Sequence, residues 1–357
     1  MDGTRIAVVI ACFNADKTLA RAIKSVSLLD TRLDIVVVDD CSTDDTRAVL
    51  LGDDINPLVK KIIFHETRQG PAAARNAAIS WVATESYDYL TFLDADDHFL
   101  PTRIAETLTT GEDLYIFESV ETLDKYSRLS EYQDYVIAKN KIESSNLREI
   151  ISAYAKRPNR VPVFTTAWSR FFKVSVIKDN DIWFNNRMET FEDVDFNFRF
   201  LKAQRSCRFV HICLYAHTRP LRRSTTASFR PKRGLSGLFS FMWALRSMRA
   251  FTNSSMPDLT INYAGLYSAY FSISLIRAGR MVNSISSFFV FLRFTKRRLR
   301  SGYTQRAFVC YNHRVAGGRP ISCFLIKHKA ALALCIYVLF VKFLEERKET
   351  SLWLEAH

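Results

Sequence analysis

Four short apolar runs recur in the first hundred residues, and each runs out into polar or acidic residues. They are Ile6–Phe13, Ile35–Val38, Lys61–Phe64 and Tyr89–Leu93. Continuous apolar stretches of this length read as strands buried on both faces. Between them the period changes. Lys17–Leu28 puts Leu19, Ile23 and Val26 on one helical face, a second helix starts near Asp44–Thr46, and Ala-rich Pro71–Ala83 opens just after Gly70. Strand and helix in alternation predict a doubly wound, mainly parallel sheet flanked by helices, an α/β fold.

Further along, the spacing predicts a helix over Pro101–Leu108, a strand over Leu114–Val120, a helix over Leu147–Ala155 and a short strand over Phe209–Tyr215. Trp168–Val176 and Phe191–Leu201 pack aromatic residues among charged ones. Beyond Arg230 the pattern is helical, over Leu235–Phe251, Thr260–Arg277, Met281–Phe294 and Lys327–Phe343. None of these holds the roughly 20 uninterrupted apolar residues of a membrane span. Phe288–Leu292 followed by Lys296–Arg300 joins an aromatic patch to a basic cluster, the two parts of an in-plane membrane helix. An ordinary helical subdomain with water-facing arginines gives the same pattern.

Composition adds a division. The 357 residues are 48% hydrophobic, ordinary for a folded chain, with room for a large α/β domain and a smaller second part. Residues 1–215 carry 27 Lys and Arg against 32 Asp and Glu, whereas residues 216–357 carry 23 against 5. A basic, aromatic-rich second half points to a polyanionic partner, a membrane surface or nucleic acid. The seven cysteines are odd in number, scattered and without a C-x-x-C pair, as expected of reduced thiols in a cytoplasmic protein. The start of the chain lacks the charged region and long apolar core of a signal peptide.

The chemistry concentrates where the fourth strand ends, in Asp94-Ala95-Asp96-Asp97. Ligands of open α/β sheets bind at such strand ends. Clustered carboxylates repel one another unless a cation joins them, and oxygen-only ligands suit Mn²⁺ or Mg²⁺ shared with substrate phosphates. An acidic surface turn is the bland alternative.

Five segments together resemble the family 2 glycosyltransferases of the GT-A fold. They are Val8–Asn14, Ile35–Asp44, Gly70–Ile79, the D-x-D element Asp94–Asp97, and Phe191-Glu192-Asp193-Val194-Asp195. The resemblance covers residues 6–195 and leaves 216–357 uncovered. It implies a GT-A-like unit over residues 1–218 that binds a nucleotide-sugar, followed by a basic helical region over 219–357 for membrane-surface association or oligomerisation. It also implies inverting transfer, most often from a UDP-sugar, to a hydroxyl of a glycan or lipid-linked acceptor in bacterial surface polysaccharide synthesis, lipopolysaccharide or capsule. The enzyme would lie at the inner face of the cytoplasmic membrane, on anionic lipid, with no nucleic-acid partner and either monomeric or as a homodimer.

The resemblance also assigns residues. Asp96, with Asp94 at the ribose or metal, would hold Mn²⁺ or Mg²⁺ against the diphosphate. Asp40, or Asp39 beside it, would accept from the base N–H, unless it caps the following helix. Ala11, Phe13 and Asn14 would wall the nucleoside, Ala95 would also bind the donor, and Arg75 would stack on the base or reach the phosphates, unless it is a solvated arginine of the helix face. Asp193 would be the general base, oriented by Glu192, which alternatively binds the acceptor; the opposing reading makes both first-turn acids of a helix. His217 is read as a metal ligand or a structural histidine. Arg219 and Arg223 resemble a basic segment that closes over the diphosphate. Trp168 and Arg170 would line the acceptor pocket.

Two departures accompany the match. The Q-x-x-R-W of processive relatives is absent, the nearest text being Gln204-Arg205-Ser206-Cys207-Arg208-Phe209, and Cys41 stands where relatives have a small residue such as Gly. Two other classes compete. A nucleotidyltransferase would want a Gly-rich loop after the first strand, and Ala11–Thr18 has none. A nucleic-acid-binding protein would explain the basic half, but its cations are interleaved with apolar faces. No G-x-G-x-x-G follows any strand, which excludes a dinucleotide-dependent dehydrogenase.

Overall fold

The computed structural model describes residues 4–123, 136–142, 144–156, 162–188, 190–219, 231–279, 282–309 and 320–340. The first half runs β1 (Ile6–Cys12), α1 (Leu19–Ser25), β2 (Leu33–Asp39), α2 (Thr46–Leu51), β3 (Val59–Phe64), α3 (Pro71–Thr84) and β4 (Tyr89–Phe92). The middle runs β5 (His98–Phe99), α4 (Ala105–Leu108), β6 (Leu114–Leu123), β7 (Val136–Asn140), α5 (Leu147–Lys156), β8 (Arg170–Lys173), α6 (Val174–Asp179), α7 (Glu192–Ala203) and β9 (Cys207–Arg219). The last part is helical: α8 (Pro231–Ser255), α9 (Tyr263–Gly279), α10 (Ile285–Leu299), α11 (Gly302–Val309) and α12 (Pro320–Lys327), then a helix over 331–340.

Among the described residues one sheet takes the order β3-β2-β1-β4-β8-β6-β9-β5, with β7 paired to β6. The first four strands are parallel, with Ile6 opposite both Leu33 and Tyr89. Antiparallel pairs enter at β8, between β4 and β6, while β6 and β9 pair in parallel. The four parallel strands therefore end at one edge, and the acids that follow β2 and β4 emerge side by side.

Both faces are covered, as the unbroken apolar runs require. In β1, Ala7 and Val9 join one core while Ile6, Val8 and Ile10 join the other. The first core holds α3, α6 and α7 and runs on into the C-terminal helices, where Phe198 of α7 meets Phe251 of α8 at 5.9 Å. Charge and composition change after residue 215, but the packing does not.

Several expected elements come out differently. Of Pro101–Leu108 only α4 is helical, and its start is fixed from a distance, because Asp30 Oδ1 accepts from the Ile104 and Ala105 N–H groups at 2.6 and 3.1 Å. The strand expected at Phe209–Tyr215 lengthens to β9 by pairing along β6. The helix expected over Lys327–Phe343 breaks at 328–330, with Lys329 at φ 55°, and residues beyond 340 lie outside the described ones. Several elements escape the pattern: β5, which is two residues paired to β9, β7, β8, α6, α7, α11 and α12.

Candidate active site

The site is built on strand ends and the start of α7. β4 delivers Asp94, Ala95, Asp96 and Asp97 into a turn closed by the Asp97 N–H donating to the Asp94 carbonyl. The four side chains part ways. Asp96 points to solvent, Asp94 is one-third exposed, and Ala95 and Asp97 are buried.

Arg75 organises the carboxylates. Early in α3 and buried, it donates from Nη2 to Asp94 Oδ1 at 2.9 Å and from Nη1 to Asp193 Oδ1 at 2.9 Å, with Glu192 Oε1 at 3.7 Å. The guanidinium also lies 5.3 Å from the Phe184 ring centroid. Its three acidic neighbours raise its pKa despite burial. The sequence reading sent Arg75 to the base or the phosphates; here it is a strut between the D-x-D turn and the acids of α7.

Those acids sit at a strained entry. Phe191, just before α7, is left-handed at φ 64°, an uncommon conformation for a bulky residue. It is gripped by Phe241 of α8 at 5.1 Å and Tyr270 of α9 at 4.6 Å. The side chains of Glu192 and Asp193 keep 15% exposure each, enough for a substrate to touch. Asp193 Oδ2 accepts from the Ala167 N–H at 3.1 Å. Burial, then the neighbouring Asp193 charge, pushes Glu192 up to about 7 against the pull of Arg75. Burial likewise raises Asp193. Crowded carboxyls with raised pKa values suit proton transfer near neutrality.

Asp97 is the anchor that sequence reasoning passed over. Its Oδ2 accepts from the Tyr215 hydroxyl at 2.6 Å and meets His217 Nδ1 at 3.2 Å, and its Oδ1 accepts from the Thr218 N–H at 2.7 Å. The hydrogen bond to Asp97 raises the His217 pKa. Trp168 stacks on Tyr215 at 4.3 Å and lies 5.8 Å from His217, so three rings share one orientation. His217 thus faces a structural carboxylate through Nδ1, leaving Nε2 for a ligand. The only sequence signal for this group was a third acid immediately before β5.

The turn after β2 is locked. Asp39 accepts from Arg47 Nε at 2.7 Å and the Ser42 N–H at 3.1 Å. Asp40 accepts from the Gln69 and Gly70 N–H groups at 2.9 and 2.7 Å and meets His65 Nδ1 at 2.8 Å. Burial opposes charge on Asp40, but these donors outweigh it and hold the pKa below the ordinary value. Cys41 is left-handed at φ 64°, a conformation that glycine adopts at no steric cost. Asn14, at φ 52°, ties the turns together, accepting from the Thr43 N–H and donating its own N–H to Ser42 Oγ, both at 2.9 Å. Arg68 covers the Phe13 ring at 3.8 Å. Ala11 is half-buried at the end of β1.

Arg170 takes no acceptor-lining place. It is 3% exposed beneath the site, and burial brings its pKa down to about 10 against the pull of Asp193. Arg219 ends β9 with its side chain outside the described residues, and Arg223 lies outside them altogether.

Among the described residues, no three His, Cys, Asp or Glu side chains cluster closely enough to hold a metal alone. Mg²⁺ and Mn²⁺ commonly bind through one or two carboxylates plus substrate phosphates, and Asp96 with Asp94 fits that donor set. Although the Asp96 side chain is exposed, desolvation by the protein around the turn, then the Asp97 and Asp94 charges, push its pKa up to about 6, and a cation there would offset those charges.

Known proteins resemble this chain in part of its sequence and in its fold. The family described as "Glycosyl transferase family 2" matches residues 7–116. The succinoglycan biosynthesis protein ExoU of Rhizobium meliloti (strain 1021) is 34% identical over 121 residues, which cover 34% of each chain. The poly(ribitol-phosphate) beta-N-acetylglucosaminyltransferase TarS of Staphylococcus aureus (strain Mu50 / ATCC 700699) is 26% identical over 212 residues, 56% of this chain and 33% of that one. The chain thus spans about a third of the length of these curated relatives. In fold, the crystal structure of S. aureus TarS 1–349 in complex with UDP covers 94% of this chain and 90% of its own, with a TM-score of 0.58 at 15% identity. The same fragment has been crystallised with UDP-GlcNAc. The shared fold takes in the C-terminal helices.

Proposed function

With a glycosyltransferase family 2 domain over residues 7–116, we propose that this chain transfers a sugar, with inversion, from a UDP-sugar to a hydroxyl of a glycan or lipid-linked acceptor. One observation carries the reading: Arg75 braces Asp94, at the strand-end turn, against Asp193 and Glu192 at the start of α7. In this reading Asp94 would face the phosphates and Asp193 would accept the proton, both braced on one buried cation. The UDP complexes of TarS support the choice of nucleotide.

In the proposed reaction the acceptor oxygen attacks the anomeric carbon while its proton passes to Asp193. The bond from that carbon to the diphosphate oxygen breaks, and its electron pair leaves with UDP. Arg75 keeps Asp193 aimed, and Glu192, with a pKa near 7, takes up charge changes beside it. Asp96 and Asp94 would hold a divalent cation, with His217 a further candidate ligand, and the charge that cation supplies would offset that of the departing diphosphate. Phe13, Asn14 and the turn locked by Asp39 and Asp40 would form the nucleoside wall. Trp168, stacked on Tyr215, would offer its face to an acceptor sugar. The work would be done at the cytoplasmic face of a membrane, in surface-polysaccharide synthesis.

The test is UDP release from a panel of UDP-sugars with extracted membrane glycolipids as acceptors. The proposal expects one UDP-sugar to be consumed by the native protein and left intact by Asp193→Asn. Equal turnover by both proteins would remove Asp193 from the reaction.

A further inference from the structure

The C-terminal helices share the core of the sheet, yet their outer faces are unusual. Of the large apolar side chains exposed among the described residues, ten of fourteen lie between residues 239 and 340. On α10, Ile285 is 79% and Phe289 58% exposed, and the same helical face continues with exposed Arg293, Lys296 and Arg300. The opposite face, Phe291, Thr295 and Leu299, is buried. α10 therefore lies along the surface, apolar outward in its first half and cationic outward in its second.

A second outward stripe adjoins it. On α8, Phe239 and Trp243 are 58% and 45% exposed, one turn apart, and exposed Arg246 follows. Arg298, on the inner flank of α10, covers the Phe239 ring at 5.1 Å, so α8 and α10 lie side by side. The helix over 331–340 adds Leu332, Ile336 and Phe340, one turn apart and each more than half exposed.

Charge selects the occupant. Residues 231–340 contain 16 Lys and Arg and a single acid, Asp258, which is held by Arg148 at 2.7 Å. A second copy of this face would set like charges together with almost no acid to offset them. A nucleic acid would satisfy the cations and leave the apolar stripes in water. An anionic lipid surface satisfies both, because headgroups meet the cations while side chains on the outward faces enter the acyl boundary.

We propose that the outward faces of α8, α10 and the helix over 331–340 form a docking surface for an anionic lipid bilayer, with α10 lying in the interfacial plane. The inference rests on the membrane-side working place proposed above and adds the surface that achieves it. It also gives the contact a consequence, since α8 carries Phe241, which grips Phe191 beside the proposed base.

The experiment is flotation of the full chain with vesicles of phosphatidylcholine alone and of phosphatidylcholine with phosphatidylglycerol, with UDP binding measured on the same samples. The chain should float with the anionic vesicles only, and release as salt shortens the Debye length. Arg293→Gln with Lys296→Gln should weaken binding by about five-fold per cation removed. Phe289→Ser should weaken it while leaving UDP affinity unchanged. Equal flotation on both vesicle types, or variants that bind like the native chain, would overturn the surface. So would a salt-resistant dimer that ignores vesicles, or duplex DNA that strips the chain from them. Lost flotation with intact UDP binding would sink this inference alone; lost UDP binding would point at the donor site instead.

Discussion

Arg75 is the residue on which most of the site turns. It neutralises three carboxylates in a buried position, so removing it leaves acids crowded without a partner. Arg75→Met should lower stability by about 3–5 kcal/mol in urea denaturation at neutral pH, a typical cost of breaking a buried ion pair. Asp193→Asn keeps the shape and removes the base, and should cost about 10²–10⁴-fold in turnover with UDP affinity unchanged. Glu192 provides a pH signature. In the folded chain burial and Asp193 hold its proton up to about 7, whereas the ordinary glutamate value is 4.5. The folded state therefore binds the extra proton, and the stability this adds is complete below 4.5 and lost as pH rises to about 7. Urea midpoints across that window should fall with pH in the native chain by more than in Glu192→Gln. The acids themselves were legible in the sequence, because strand ends and an E-D pair announce carboxylates. The cation between them was not: Arg75 and Asp193 are 118 positions apart, and no local pattern separates a strut from a solvated helix arginine.

At the scale of elements, the parallel strands β1 to β4 and the helices between them followed from period alone, since burial on both faces demands unbroken apolar runs. What failed to show in the sequence was set by distant partners. Asp30 starts α4 from another loop, and β5 exists because β9 lies alongside. The left-handed Phe191 persists because α8 and α9 grip its ring. Phe241→Ala should therefore do two things: lower stability by about 3 kcal/mol, as for other buried aromatic truncations, and reduce turnover while UDP affinity holds, because Glu192 and Asp193 lose their fixed approach. A drop in UDP affinity matching the drop in turnover would instead mean general loosening. Gly279 reports on the outer helices. A Cβ there would stand 2.1 Å from Val338 Cγ1, so Gly279→Ala should destabilise the chain by about 1–3 kcal/mol, the range for overpacking, in thermal denaturation.

For the molecule as a whole, the charge break after residue 215 was plain in the sequence, and the shared core was not, because composition reports surfaces more directly than packing. The sheet side carries the acids and the helical side the cations, joined by the grip on Phe191. A donor site at the end of β4 is the central claim, and calorimetry of UDP with and without Mn²⁺ tests it most directly. The native chain should bind UDP more tightly with Mn²⁺, and Asp96→Ala should lose that gain while folding as before. UDP binding that neither Mn²⁺ nor Asp96→Ala alters would contradict the assignment of the strand-end acids, and no binding under any condition would contradict the donor site itself.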